Sequence, residues 1–213
     1  MEILPQLLQQ YLETHCESEP ELLKTINRET YVKVLKPHML SGHYQGRLLS
    51  FFSKLMRPKY ILEIGTYTGY ATLCLAEGLA EGGEIHTIEV NREMEEMILK
   101  NFAASKLRKN IFPHFGDAQQ IMLQLSDKIY DIVFVDADKK NNLTYFDCVI
   151  GQVKTGGLII VDNVLWKGKV YNSDANDADT RLIREFNDVV SADERVEKLI
   201  LPVRDGIMLI RKK

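Results

Sequence analysis

Asp136, Lys139, Asp162 and Asn163 are the residues of this chain whose types and spacing point most directly to chemistry. Each group closes an apolar run: Val133-Phe134-Val135 leads into Asp136-Ala137-Asp138-Lys139, and Leu158-Ile159-Ile160-Val161 leads into Asp162-Asn163. Such runs read as buried parallel strands, and open α/β sheets place their ligands at the carboxyl ends of those strands. Two strand ends would therefore aim two carboxylates and an amide oxygen at one spot. An all-oxygen donor set suits a hard divalent cation that keeps several waters. Lys139, three residues after Asp136, would stand beside that ion as a base. The implied chemistry takes place on oxygen.

The elements that must position these groups alternate along the chain. Strands are expected at Tyr60–Ile64, Glu84–Glu89, Ile111–Phe115, Tyr130–Val135 and Gly157–Asp162. Helices between them are expected at Ala71–Leu79, Glu93–Ser105, Ala118–Leu125 and Asn142–Val153. Strands alternating with helices indicate a doubly wound parallel sheet. A polar loop from Lys167 to Asp177 and a helix over Asp179–Ser191 precede two last strands, Val196–Pro202 and Ile207–Arg211. Asp205-Gly206 between those strands is a hairpin signal, so the final strand should run antiparallel. Ahead of the sheet, Leu4, Leu7, Leu8 and Leu12 mark one helix, Leu22 to Leu35 a second and Gly46 to Met56 a third. The first two are expected to cover the sheet. No repeat or linker divides the chain, which reads as one domain: a helical cap over residues 1–57 and a sheet core over 58–213.

The first strand runs into Glu63-Ile64-Gly65-Thr66-Tyr67-Thr68-Gly69-Tyr70. Its glycines let the backbone approach a ligand closely at the start of a helix. The spacing is GxxxG rather than GxGxxG, so the pyrophosphate turn of a nicotinamide site is missing. Glu89 closes the second strand about twenty residues on, where a carboxylate accepts hydrogen bonds from ribose hydroxyls. Ribose without pyrophosphate is what S-adenosylmethionine presents, and Asp117-Ala118 after the third strand falls near the adenine edge.

Composition sets the bounds. At 213 residues the chain holds a core that needs no staples. A net charge of -3 leaves no electrostatic footprint for nucleic acid or an anionic membrane, which favours a small diffusible partner. Cys16, Cys74 and Cys148 form no CxxC pair and read as reduced packing residues. The start, Met1-Glu2-Ile3-Leu4-Pro5, has no basic leader, and no apolar run reaches the ~18 residues of a membrane span. A cytoplasmic, soluble protein is expected.

Taken singly, these residues have plainer readings. Asp136 or Asp162 alone would cap a following helix, and Lys139 alone would be a solvated lysine. Trp166 reads as a core anchor or as a wall over an aromatic substrate, with the core anchor the default. His43 and Tyr44 read as part of a lid or as a surface segment. His15, His38, His86 and His114 lack metal-ligand spacing and read as structural. Arg92-Glu93-Met94-Glu95-Glu96 reads as a solvated helix face.

In combination the motifs are specific. From Met39-Leu40-Ser41-Gly42-His43-Tyr44-Gln45-Gly46 through the glycine turn, Asp136-Ala137-Asp138-Lys139 and Asp162-Asn163-Val164-Leu165-Trp166 to Asp205-Gly206, the chain resembles the cation-dependent O-methyltransferases that include caffeoyl-CoA and catechol O-methyltransferases. The resemblance implies a Rossmann-like seven-stranded methyltransferase fold with its last strand reversed and extra N-terminal helices. It implies a metal, commonly magnesium, on Asp136, Asp162 and Asn163, with Lys139 as catalytic base. It places Ser41, Glu63, Gly65, Thr66, Glu89, Ala118 and Asp138 at positions that hold the cofactor; the same glycine turn brings Tyr67, Gly69 and Ala71, and Asp117 and Asp136 complete the set. Ala71 stands where the family usually has a serine, which removes one hydrogen bond worth ~0.5–1.5 kcal/mol. Lys167 replaces an asparagine that faces the acyl substrate in plant members, and Gly42-His43-Tyr44 also departs from their pattern.

The implied reaction is methyl transfer from S-adenosylmethionine to one hydroxyl of a vicinal dihydroxy aromatic, by a homodimer whose interface involves the N-terminal helices. A nucleotide-dependent oxidoreductase is the rival with the same sheet, and it needs the pyrophosphate turn that is absent. A binding module without catalysis is the second rival, and it has no use for Lys139 and three metal ligands. A metal-independent methyltransferase with a structural acidic cluster is the third.

Overall fold

A computed structural model describes residues 5–213, apart from the Gln6 side chain. Leu4, expected on the first helix, lies outside the described residues, as do Met1, Glu2 and Ile3. The strands are β1 (Tyr60–Ile64), β2 (Glu84–Glu89), β3 (Ile111–Phe115), β4 (Tyr130–Val135), β5 (Val153–Asp162), β6 (Val196–Leu201) and β7 (Ile207–Lys212). They form one sheet in the order β3-β2-β1-β4-β5-β7-β6. The first five run parallel, and β7 lies antiparallel between β5 and β6. The expected seven-stranded sheet with a reversed last strand is what the chain forms.

Strand β4 has every residue buried, as an apolar strand in the middle of a parallel sheet must. The helices are α1 (Gln6–His15), α2 (Glu21–Lys33), α3 (Gly42–Met56), α4 (Tyr70–Ala76), α5 (Glu95–Ala103), α6 (Ala118–Gln124), α7 (Asn142–Ile150) and α8 (Ala178–Ala192). Residues of α6, α7 and α8 bury one face of the sheet, around Val133, Val161 and Phe146. Residues of α2 to α5 bury the other, around Ile61, Phe134 and Ile160. Strand order reverses between β1 and β4, so their carboxyl ends open a crevice between loops that diverge to opposite faces.

Several expected boundaries shift for local reasons. Helix α3 starts at Gly42 rather than Gly46. Gly46 is an inter-helix contact: a Cβ there would stand 2.7 Å from Tyr70 Cε1 and 2.9 Å from Cys74 Sγ. Helix α4 stops at Ala76, short of Leu79. Helix α5 starts after a 3₁₀ turn at Arg92–Met94 and ends at Ala103, inside the expected Glu93–Ser105. Helix α7 stops at Ile150, because Val153 already pairs with Tyr130 as the first residue of β5. That strand begins four residues before the expected Gly157, and an irregular register lies between Tyr130 and Ile132. The expected polar loop contains a 3₁₀ segment, Trp166–Tyr171. The last hairpin turns over residues 202–206 instead of two residues, with Arg204 and Gly206 both at positive φ.

Helix α2 joins the core, packed against α4, whereas α1 does not. Leu23, Ile26 and Thr30 of α2 are buried. Leu7, Leu8 and Tyr11 of α1 are exposed, and that helix meets α3 rather than the sheet. Cys148 is exposed, which corrects its reading as a packing residue; Cys74 is buried and Cys16 half-buried.

Candidate active site

The β1–α4 turn supplies one side of the crevice. Gly65 adopts φ 101, and a Cβ there would lie 2.2 Å from the carbonyl oxygen of Asp136. Only glycine permits the turn and the β4 end to approach so closely. Next in the chain, Tyr67 is held at φ 54 by Glu89, whose Oε2 accepts from the Tyr67 N–H at 2.7 Å while Oε1 accepts from Asn91 N–H at 2.8 Å. A narrow cleft results, with Ser41, Gly65, Thr66, Tyr67, Ala71 and Asp136 among its lining. Beneath it lies Glu63, fully buried; its Oε2 accepts from the hydroxyls of Thr72 and Thr87. Its Oε1 has no hydrogen-bond partner. Burial, with lesser contributions from the charges of Asp136 and Glu89, pushes this carboxyl up to about 8.

The ends of β4 and β5 supply the other side. Lys139 Nζ donates to Asp136 Oδ1 at 3.3 Å, and both side chains are mostly shielded from water. Asp162 is buried, and Gln45 Nε2 donates to its Oδ2 at 2.8 Å. Its other oxygen accepts from the Asn163 N–H at 2.7 Å, and Asn163 itself has φ 64, a conformation asparagine tolerates. Burial first and the Asp136 charge second push the Asp162 carboxyl up to about 6. A cleft of about 310 Å³ opens beside these groups, lined by Ala137, Asp138, Lys139, Lys140, Trp166 and Asp179. Trp166 is half-buried at this wall with φ 46, so it is no core anchor.

The chain meets known proteins along almost its whole length. The family model described as O-methyltransferase matches residues 13–213. Caffeoyl-CoA O-methyltransferase 5 of Nicotiana tabacum is 37% identical over 97% of this chain and 90% of its own length. Caffeoyl-CoA O-methyltransferase 2 of Populus trichocarpa is 36% identical over 97% and 88%. The chain belongs to the O-methyltransferase family. Among solved structures, the O-methyltransferase from Bacillus cereus in complex with SAH superposes with a TM-score of 0.89 at 28% identity, covering 97% of each chain. The O-methyltransferase TomG from Streptomyces achromogenes, in complex with SAM, gives 0.89 at 27%, covering 97% of this chain and 96% of that one. The protein is therefore an enzyme of a family whose members are S-adenosylmethionine-dependent.

This O-methyltransferase gathers most of the expected site residues into one crevice. Ser41, Gly65, Thr66, Tyr67, Ala71 and Asp136 line the narrow cleft, with Glu63 below and Glu89 pinning the turn. Gly69, at φ 84, precedes the first residue of α4. Asp117 caps α6 through the Gln120 N–H, and Ala118 is the first residue of that helix. Asp138 is displaced from this group: it lines the larger cleft and accepts from Tyr145 Oη at 2.6 Å and Asn141 Nδ2 at 2.7 Å.

The donors suit a hard cation. Among the described residues no three His, Cys, Asp or Glu side chains converge as a metal site. Two carboxylates do crowd one another, the Asp136 charge helping to raise the Asp162 carboxyl, and Asn163 follows Asp162 in the chain. Such a pair without thiolate or imidazole suits magnesium. On the other side, the narrow cleft beside the glycine turn and the unpartnered oxygen of buried Glu63 are the features open to the methyl donor.

Two important residues carried no signal of their own. Gln45 falls within the Met39–Gly46 segment, one residue ahead of the helix expected from Gly46, and nothing in its type or spacing marks it. Arg204 Nη1 donates to the carbonyls of Leu40, at 2.6 Å, and Ser41, and it approaches Gln45 Oε1 at 3.5 Å. Only the fold brings residues so far apart in sequence together.

Proposed function

We propose that this enzyme transfers the methyl of S-adenosylmethionine to one hydroxyl of a vicinal dihydroxy aromatic, with a divalent cation, best matched by magnesium. Asp136 carries the reading: it lines the narrow cleft where the methyl donor fits and, from the same strand end, meets Lys139 at the mouth of the larger cleft. Donor, base and cation ligand then share one residue. When bound, the sulfonium supplies an activated methyl, and the cation supplies positive charge for two neighbouring oxygens. A phenol has a pKa of ~10 and is protonated at neutral pH. Lys139 Nζ would take that proton in its neutral amine form, having first passed one proton to solvent. Asp136, Asp162 and Asn163 would hold the cation, and Gln45 holds the Asp162 carboxylate in place.

Ser41, Glu63, Gly65, Thr66, Tyr67, Gly69, Ala71, Glu89, Asp117, Ala118 and Asp136 hold or shape the cofactor site in this reading, while Asp138 stands on the side of the larger cleft. Trp166 walls the acceptor side. The caffeoyl group in the relatives' names is itself a vicinal dihydroxy aromatic, which supports the acceptor class. The chain works as one catalytic unit, with residues 1–57 capping the core of 58–213. Exposed Leu7 and Tyr11 on α1 and Phe51 and Leu55 on α3 support a homodimer, and light scattering that finds a monomer overturns it. Three free cysteines accord with a reducing, cytoplasmic setting. No helix among the described residues is long and apolar enough to cross a membrane.

The test is methyl transfer from labelled S-adenosylmethionine to a panel of dihydroxy aromatics, with magnesium and again with excess chelator. Transfer that vanishes with chelator is the expected result. Chelator-resistant transfer removes the cation from the mechanism, and failure to bind the cofactor overturns the whole reading.

A further inference from the structure

The turn between β6 and β7 touches both walls of the site through two adjacent residues that face opposite ways. Arg204 reaches the N-terminal cap. Its Nη1 donates to the carbonyls of Leu40 and Ser41, and its Nη2 donates to the His38 carbonyl at 3.0 Å. All three acceptors are main-chain oxygens of the segment that brings Ser41 to the narrow cleft. Through its approach to Gln45, the same guanidinium adjoins the side chain that holds Asp162.

Asp205 reaches the other way. Its carboxylate accepts from the Lys167 N–H, and its carbonyl accepts from the Leu165 N–H at 2.9 Å. Those bonds hold the stretch Trp166, Lys167 and Gly168, which takes three successive positive φ values of 46, 54 and 79. Two non-glycine residues in that region need outside support to stay there. Arg204 is itself at φ 48, an outlier kept while both terminal nitrogens of its guanidinium are engaged. The turn leads directly into Ile207, which pairs with Asp162 across the sheet.

We propose that Arg204 and Asp205 form a two-sided clamp, in which Arg204 sets the cofactor wall at residues 38–41 and Asp205 independently sets the acceptor wall at Trp166 and Lys167. Both are positioning residues. The planar fork of arginine serves three carbonyls at once, which a lysine ammonium on a single flexible stem does not reproduce. Asp205 is suited to the loop because an ionised carboxylate gives a main-chain N–H a stronger bond than a neutral acceptor does.

The inference rests on the cofactor reading above, and two ligand-level measurements separate the two. The first is calorimetric binding of S-adenosylhomocysteine, and the second is emission and acrylamide quenching of Trp166, the only tryptophan of the chain. Arg204→Ala and Arg204→Lys should each weaken S-adenosylhomocysteine by about tenfold, the loss of one or two charge-assisted hydrogen bonds, and leave Trp166 quenching at the wild-type value. Asp205→Ala and Asp205→Asn should raise Trp166 quenching and shift its emission to the red, with S-adenosylhomocysteine affinity within about twofold of wild type. The conservative members of each pair, Arg204→Lys and Asp205→Asn, keep the test alive where an alanine variant fails to fold. If both pairs move the same observable, or if stability falls with neither observable changed, the clamp is refuted and the turn is only structural. Wild-type protein that binds no S-adenosylhomocysteine refutes the cofactor reading itself.

Discussion

Glu77 and the carboxylates at the strand ends are built to opposite rules. Glu77, after α4, is saturated with partners. Arg47 donates to both its oxygens at 3.0 and 2.7 Å, Ser50 adds a bond at 2.7 Å and Lys54 one at 2.8 Å. Burial alone would push its carboxyl up, but the bonds from Arg47, Lys54 and Ser50 outweigh it and hold the group at about 2. At the strand ends the balance reverses. Glu63 keeps an oxygen with no partner, and Asp162 faces the charge of Asp136 with Lys139 as the nearby cation. Both carboxyls are pushed up, by burial first. The first cluster stabilises the fold. The second leaves carboxyls short of partners where a cation and a sulfonium would supply them, which is how binding sites depart from a stability optimum.

The comparison breaks most sharply at Asp162. Asp162→Asn should cut methyl transfer by about 10³-fold, the several kcal/mol of charge stabilisation that a bound cation contributes. In chelator the same variant should be at least as stable as wild type, because a buried charge facing Asp136 has been removed. Denaturant midpoints beside turnover check this, and a clear loss of stability would place Asp162 with Glu77. Next in size, Lys139→Ala should lower turnover by about 10²-fold, the usual worth of a positioned base. S-adenosylhomocysteine binding should be retained, and unchanged turnover would remove Lys139 from the mechanism.

The two clusters also differ in how far the sequence revealed them. Glu63, Gly65 and Glu89 could be read because a strand end, a glycine turn and the next strand end keep fixed separations in any such sheet. Asp136, Lys139, Asp162 and Asn163 could be read because each follows a strand whose apolar run is unmistakable. Gln45 and Arg204 escaped because their roles depend on contacts between the cap, a strand end and a distant turn, which no local period encodes. The Glu77 network escaped for the same reason: Arg47, Ser50 and Lys54 look like one polar helix face until α4 packs on it. Errors at β5 and the final hairpin arose at Gly156 and Arg204, where positive φ bends the chain off its regular pattern.

Gln45 sharpens the contrast at a smaller scale. It is fully buried and donates to Asp162, so Gln45→Met keeps its bulk and removes the bond. The magnesium concentration for half-maximal activity should rise by about tenfold, the usual effect of losing a hydrogen bond to a metal-ligand carboxylate. Titrating the metal against turnover tests this, and an unchanged requirement would make Gln45 a packing residue.

The smallest effect on activity belongs to Glu77. Glu77→Gln should leave turnover unaltered while lowering stability at pH 7 by about 2 kcal/mol, since it uncovers Arg47 in a largely buried setting. The pH dependence fixes the sign. A carboxyl held at about 2 in the folded protein, below its ordinary 4.5, adds stability that is complete above that ordinary value. That stability disappears as pH falls from 4.5 toward 2. The difference in unfolding free energy between wild type and Glu77→Gln should therefore be flat from pH 7 to 5 and shrink below 4.5. A difference that persisted to pH 2 would mean that the network acts through packing rather than charge.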